Sequence, residues 1–471
     1  MNNKRKIFNN IVFLGVAELS RSLLLFFYIK HITFILGLDN YGIIAWTQSA
    51  IAYFVLFGNL GLEIYGTREI AKNPANSKNL VNNILTIKIV ASLILYLLLL
   101  IFVYFIDKNM TEKIVVIIAG GLIFANAILI NWVYQGLEKN HLVAIRQVLI
   151  SIINLAGVYI FLTQKDQVII AMSIIVSSNL INSIWLLFYY LKKEGKITFT
   201  YDKERWLGYL RQSFPIGITF FMIVIYNSTD IFMLGLIKEN ADVSLYDTAS
   251  KLIIFGILPT QILQQAFFPQ MSKNGISERG IKLANKYTLF TYLIAVLSCV
   301  IIFFNAEFIV LLQYNPEFIE AATLLKYFTI KLFIVYIAVS YSSPLMAWGK
   351  QKELMYSTIF GAIINVLLNF LLIPDYGIYG AMIATIISET IVLLNYIYHL
   401  RKISSTLFLN NILRALIVGI VIASIAYLMK LYEFYELFNI FATIIVFIFL
   451  IFITKTVKIN EIKGIFIKNE N

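Results

Sequence analysis

The chain has 471 residues, of which 60% are apolar and only 14% charged, a balance that no ordinary water-soluble domain carries. Its formal charge of +12 would suit nucleic acid, but Lys and Arg fall between apolar runs and build no continuous basic face, which excludes that partner. The single Cys299 supports neither an internal disulfide nor a zinc cluster and reads as a small buried hydrophobe.

The basic start, MNNKRKIF, precedes a long apolar run with no small-residue cleavage site, so the first run is expected to stay as a transmembrane helix. A helix of about 20 apolar residues crosses a bilayer core. Fourteen runs of that kind follow in order: 11–36, 41–64, 83–106, 113–134, 142–162, 168–191, 214–236, 244–268, 287–304, 324–348, 354–373, 378–398, 412–431 and 437–454. The predicted fold is an all-α polytopic membrane protein.

Lys and Arg alternate sharply between the connecting segments. One set holds Lys4 to Lys6, Arg68 and Lys72, the 192–211 segment, Lys273 to Lys282, Lys350 and Lys352, Arg401 and Lys402, and the C-terminal lysines; the other holds little beyond Lys108, Lys165 and Lys238. Cytoplasmic loops carry the positive excess, so both termini are expected in the cytoplasm, which requires an even number of spans. The polar loop KKEGKITFTYDKERW at 192–206 separates the first six runs from the next six. This division predicts an N-terminal lobe at 1–205, a C-terminal lobe at 206–402, and two further helices with a cytoplasmic tail at 403–471. Copies separated by six spans keep the same topology and would be related by a pseudo-two-fold axis along the membrane normal.

Several chemistries are missing. No G-x-x-x-x-G-K-[ST] loop cradles a nucleotide phosphate. His31, His141 and His399 lie far apart and close to predicted helix ends, so no metal site or cofactor is expected. Apart from QYNPEFIEAA at 313–322, the outward-facing loops are too short to house the active site of a glycan polymerase or ligase. That enzyme class is therefore the disfavoured alternative.

Ionisable groups inside the spans need a reason, because each costs roughly 2.5 to 3.5 kcal/mol at bilayer depth. At 1.5 Å rise per residue, Arg21 lies about 15 Å from the inner end of the first run, near the midplane. Glu18, three residues earlier, shares its face and is a local counter-ion; Lys30 lies at the outer boundary, where it can snorkel. Lys88 sits in the third run and Lys331 in the tenth, both without an obvious local partner. Lys251 enters the eighth run from outside, and Asp230 occupies the outer half of the seventh, so these two are candidates for a pair across helices. Glu389 in the twelfth run is a candidate for proton or sodium coupling. Amides such as Asn227, Asn365 and Asn369 suit either helix-to-helix hydrogen bonds or a hydroxyl-rich ligand. Pro215, Pro259, Pro269 and Pro344 offer bends within the second half.

Four stretches carry a family resemblance: LGLDNYGIIAWTQSAIAYFVLFGNLGLEIYGTREIAKN at 36–73, NSTDIFMLG at 227–235, LYDTASKLI at 245–253, and NFLLIPDYGIYGAMIATIISE at 369–389. Together they resemble Wzx-type O-antigen and polysaccharide flippases of the multidrug/oligosaccharidyl-lipid/polysaccharide exporter superfamily, YGTREIA at 65–71 being the most specific. The resemblance implies two six-helix lobes plus two helices in the bacterial cytoplasmic membrane. It implies translocation of an undecaprenyl-diphosphate-linked oligosaccharide by alternating access, with a proton or sodium ion as coupling candidate and the polysaccharide polymerase as candidate partner. Arg21, Lys251, Lys331, Lys88 and Asn227 become candidates for binding the diphosphate and sugar, and Glu389, Asp230 and Glu18 for ion coupling. A multidrug or peptidoglycan-precursor exporter of the same superfamily is the alternative; the cations among these charges favour an anionic cargo.

Overall fold

The computed structural model describes the backbone of residues 3–403 and 409–453, and side chains within 20–403 and 410–452 apart from 76, 194 and 219. All regular structure among the described residues is helical. Among the described residues eleven stretches are long and apolar enough to cross a membrane, and the shorter apolar helix Glu436–Phe452 follows them. A helix satisfies every backbone polar group within its own segment, and for that reason such a chain spans a bilayer in this form.

By its contacts the chain forms two compact units, one comprising Met1–Ser244 with Gln313–Asn315 and the other Leu245–Leu312 with Pro316–Asn471. In the first, α1 (Asn3–Asn59) is interrupted at Gly37, whose φ of 70° and ψ of −172° only glycine adopts readily. α2 (Leu62–Lys72), α3 (Ser77–Phe105), α4 (Met110–Ala119), α5 (Gly121–Ile128), α6 (Asn131–Gly136), α7 (Asn140–Phe161), α8 (Val168–Glu194) and α9 (Lys203–Ile237) follow.

Local chemistry sets several ends of these helices. Asn109 and Glu112 form a reciprocal capping box at the start of α4, and Asp202 caps α9 through the Arg205 N–H at 3.1 Å. The core beneath α2, α3, α6 and α8 is built from Leu62, Ile70, Ile84, Trp132, Leu186 and their neighbours, all buried. The loop before α9 is stitched to α3: Asn82 donates to the Thr198 hydroxyl at 2.7 Å, and the Thr200 N–H donates to the Thr86 hydroxyl.

α9 lies along the second half of α1. Trp46, Ser49 and Tyr53 fall on one helical face and meet α9 through the Phe232 carbonyl at 3.2 Å, the Ser228 carbonyl at 2.7 Å and the Thr229 hydroxyl at 2.9 Å.

The second unit contains most of α10 (Asn240–Asn274), then α11 (Glu278–Phe304), α12 (Ala306–Gln313), α13 (Ala321–Ala347), α14 (Gln351–Arg401), α15 (Leu409–Leu431) and α16 (Glu436–Ile453). α14 breaks at Gly377 (φ 55°, ψ −131°), where the sequence places a turn between two runs. Its core is rich in buried tyrosines, and each of these phenols has a partner as burial requires: Tyr287 with Ser343, Tyr292 with Ser340, and Tyr336 donating to the Gly256 carbonyl at 2.6 Å.

Two run boundaries differ from the sequence reading. The run at 41–64 stops as helix at Asn59; Leu60 and Gly61 both take positive φ, and the chain restarts as α2. The run at 113–134 is broken between α5 and α6, where Leu129 is extended (φ −73°, ψ 123°). Hydropathy cannot register either break, because apolar side chains continue through both. The Leu-Gly pairs at 36–37 and 234–235, alike in sequence, differ in structure: Gly37 ends a helical segment, whereas Gly235 lies inside α9.

Candidate functional site

The most concentrated buried chemistry in the first unit is where α2, α3 and the α5–α6 break meet. Lys88, on α3, is 1% exposed. Its ammonium lies 2.6 Å from Glu63 Oε1 and donates to the Asn126 carbonyl at 2.8 Å. Asn126 belongs to the last turn of α5; its carbonyl accepts the Leu129 N–H at 3.2 Å, and Lys88 adds a charged donor at this helix end. One lysine thus supports a broken span and holds the first turn of α2. A cation removed from water in this way is tolerable only because both partners are supplied.

The YGTREIA segment lies on α2 and has structural work to do in this region. Gly66 admits the Trp132 ring, inside whose van der Waals envelope a Cβ would fall, and Thr67 donates to the Glu63 and Trp132 carbonyls at 2.9 and 3.2 Å. Arg68 and Lys72 both pair with Glu69, at 3.0 and 2.9 Å. The Lys72 hydrogen bond, with a smaller part from Arg68, holds the Glu69 carboxyl below the usual carboxylate range. Glu63 itself is 23% exposed and lines a cavity of about 330 Å³ with Asn59, Gly61, Phe220 and Val224. Arg146 of α7 lies within electrostatic reach of Glu63, and its buried Nε has no hydrogen-bond partner.

A larger cavity of about 550 Å³ in the same unit is lined by Asp39, Asp107, Glu112 and Glu239 with Lys108. Four carboxylates against one lysine give it the wrong sign for an anion. Glu112 is moreover committed to Lys108 at 3.1 Å and to the Asn240 amide at 2.7 Å.

The other candidates are dispersed. Arg21 is half-buried on α1; Glu18 lies outside the residues whose side chains are described. Asn227 is exposed and donates to Ile223 of its own helix at 2.8 Å. Asp230 is 6% exposed on α9. In the second unit Lys251 pairs with Asp247, one turn earlier on α10, at 2.6 Å; the Lys331 ammonium is 5.4 Å from the Phe328 ring centroid, a cation–π contact. Glu389 is 8% exposed on α14, whose Asn369 donates to Asn365 at 3.1 Å. Lys88 is therefore not the partnerless cation that its sequence neighbours suggest. Glu63 and Arg146, absent from the candidates above, were accessible to the same test of charge within an apolar run: Arg146 lies six residues into α7, about 9 Å along it.

This is the architecture of a polytopic helical membrane protein with charged groups buried at span depth. The sequence profile of the family described as "Polysaccharide biosynthesis protein" matches residues 7–275, more than half of the chain, and the chain belongs to that family. The MatE profile matches residues 215–371. Among similar proteins are the "Putative O-antigen transporter" of Escherichia coli K12, 25% identical over 83% of this chain and 95% of that protein, and the capsular polysaccharide biosynthesis protein CapF of Staphylococcus aureus, 22% identical over 58% of this chain and 70% of that one. The solved structure of the lipid II flippase MurJ in an inward closed conformation superposes with a TM-score of 0.77 at 15% identity, covering 95% of this chain and 100% of that one. An inward-facing MATE family multidrug transporter gives 0.65 at 15% identity over 82% and 95%. Both likenesses establish the fold.

Proposed function

We propose that the chain is a flippase that moves a polyprenyl-diphosphate-linked oligosaccharide, with undecaprenyl as the lipid, across the bacterial cytoplasmic membrane for O-antigen, capsule or similar surface polysaccharide. The observation that carries this reading is Lys88, a cation 1% exposed at span depth in a member of a polysaccharide biosynthesis family. An anionic diphosphate leaving water needs such cations to replace its hydration, while the lipid tail can remain in hydrocarbon. Arg21 is the residue assigned to the diphosphate on its depth along α1, with Lys251, Lys331 and Asn227 assisting. The similarity to the "Putative O-antigen transporter" and to a capsular polysaccharide biosynthesis protein supports the same cargo class.

The reading carries a topology of fourteen spans. The eleven apolar stretches include two that are interrupted, at Gly37 and Gly377, and Glu436–Phe452 supplies one more. Both termini are then cytoplasmic, with lobes at 1–205 and 206–402. Translocation is by alternating access with Glu389, Asp230 or Glu18 coupling to a proton or sodium ion, and the polymerase is the partner that consumes the cargo. A multidrug exporter is the second reading, favoured by the MatE match and by buried Asp230 and Glu389, which would suit a cationic cargo.

Deletion of the gene in its native host decides between them. Loss of surface polymer with accumulation of lipid-linked oligosaccharide, reversed by the wild-type gene and not by Arg21→Ala, is the expected result. Normal polymer in the deletion strain, or full rescue by Arg21→Ala at wild-type protein level, overturns the reading.

A further inference from the structure

The Glu63, Lys88 and Arg146 cluster has an unusual charge arrangement. It holds two cations and one carboxylate. The carboxylate is bound to the fully buried cation at 2.6 Å, while the arginine within its field leaves a buried Nε without a partner. Glu63 is the more exposed member of the pair and faces the 330 Å³ cavity. The helix carrying it begins at a two-residue break with positive φ at Leu60 and Gly61, so Glu63 sits at the start of a separate short helix and not in the middle of a long span.

We propose that Glu63 is a tethered surrogate for the cargo's anion: it neutralises Lys88 while the site is empty and competes with a diphosphate for Lys88 and Arg146. This rests on the proposed lipid-diphosphate cargo and deepens it by naming a subsite and its regulation. The physical need is plain. A carrier that must return empty through an apolar environment cannot leave a fully buried cation and a half-buried one beside it uncompensated, since a buried charge bears a desolvation penalty of several kcal/mol. A permanent, tightly bound counter-ion would solve that problem and abolish binding. A carboxylate at the edge of a cavity, fixed to a short helix, meets both demands. With Glu63 ionised the cluster is +1, and an arriving diphosphate is repelled by one charge while attracted by two. Without the carboxylate the cluster is +2 and matches a diphosphate diester.

The arrangement also makes Arg146 the cation available for first contact. Lys88 has two of its three protons engaged, by Glu63 and by the Asn126 carbonyl, whereas the Arg146 guanidinium can present a planar fork to a phosphate oxygen pair.

Binding of inorganic diphosphate and of farnesyl diphosphate to the detergent-purified full chain, measured by isothermal titration calorimetry, tests this. Glu63→Gln should bind both probes at least about tenfold more tightly than wild type, as expected when a repelling charge a few ångströms away is removed. Arg146→Gln should bind at least about tenfold more weakly, and the double variant should lie between. In cells, Glu63→Gln should slow polymer export although binding is tighter, because the cargo is released more slowly. Binding by Glu63→Gln that equals or falls below wild type overturns the proposal, and so does Arg146→Gln binding like wild type. Glu63→Asp, which keeps the charge, should bind both probes more weakly than Glu63→Gln and separates loss of charge from misfolding; an Asp variant that binds as tightly as the Gln variant also overturns it. The cargo assignment fails separately, through normal polymer in the deletion strain.

Discussion

The Trp46 indole donates to the Phe232 carbonyl at 3.2 Å and lies directly over Gly235, where any Cβ would fall inside the ring's van der Waals envelope. This contact, with those of Ser49 and Tyr53, fixes α9 against the second half of α1. Gly235→Ala should therefore overpack the seam and separate Trp46 from its acceptor. A loss of about 1–3 kcal/mol is expected for such an insertion, read as a lower unfolding temperature of the detergent-purified protein. Trp46→Phe, which removes the donor and retains most of the ring, should lower it less.

Lys88 and Glu63 make a second stability prediction. Lys88→Met leaves a half-buried carboxylate without its partner and the Asn126 carbonyl with the Leu129 N–H alone, and breaking a buried pair from one side costs about 3–5 kcal/mol, reduced here because Glu63 is 23% exposed. Exchanging both, Lys88→Met with Glu63→Leu, should recover part of that loss, since the orphaned charge goes too. Thermal unfolding of the two singles and the double gives the coupling. A double variant less stable than either single would mean that the pair is not the unit of stability.

The span pattern was largely legible in the sequence because the bilayer imposes it: a helix must run about 20 residues through hydrocarbon, and the ends of α7, α8 and α13 fall within a few residues of the runs at 142–162, 168–191 and 324–348. What hydropathy could not record is where the backbone stops being helical inside an apolar run. The break at Leu129 lies in FANAILINW, with neither Pro nor Gly at the break itself; there the Asn126 carbonyl takes the Leu129 N–H and also the ammonium of Lys88, some forty residues earlier, a contact that no local pattern announces. The site was legible in part. Charge depth singled out Lys88, but its partner Glu63 sits just past a turn that the run at 41–64 conceals, so the ion pair was invisible until α2 was seen as a separate helix.

Gly37 and Gly377 supply a conformational prediction. At φ 70°, ψ −172° and φ 55°, ψ −131° an alanine would carry strain on the order of 1–3 kcal/mol, while the same change lowers the entropy of the unfolded chain by less than that. Gly37→Ala and Gly377→Ala should each lower the unfolding temperature. An unchanged melting point in both would show that these turns relax without strain.

On the mechanism proposed above, ion coupling falls to Glu389, which is 8% exposed on α14. A carboxylate that carries a coupling ion must exchange its charge state during the cycle, whereas a structural carboxylate keeps its partner throughout. Glu389→Gln is neutral and nearly isosteric, so it should insert and fold but lose dependence on the proton or sodium gradient. Transport of a fluorescent lipid-linked oligosaccharide into everted vesicles, with and without an imposed gradient, measures this directly. Wild type should accelerate several-fold with the gradient and Glu389→Gln should not. Full gradient response in Glu389→Gln would transfer the coupling role to Asp230, 6% exposed on α9, where Asp230→Asn should then abolish it.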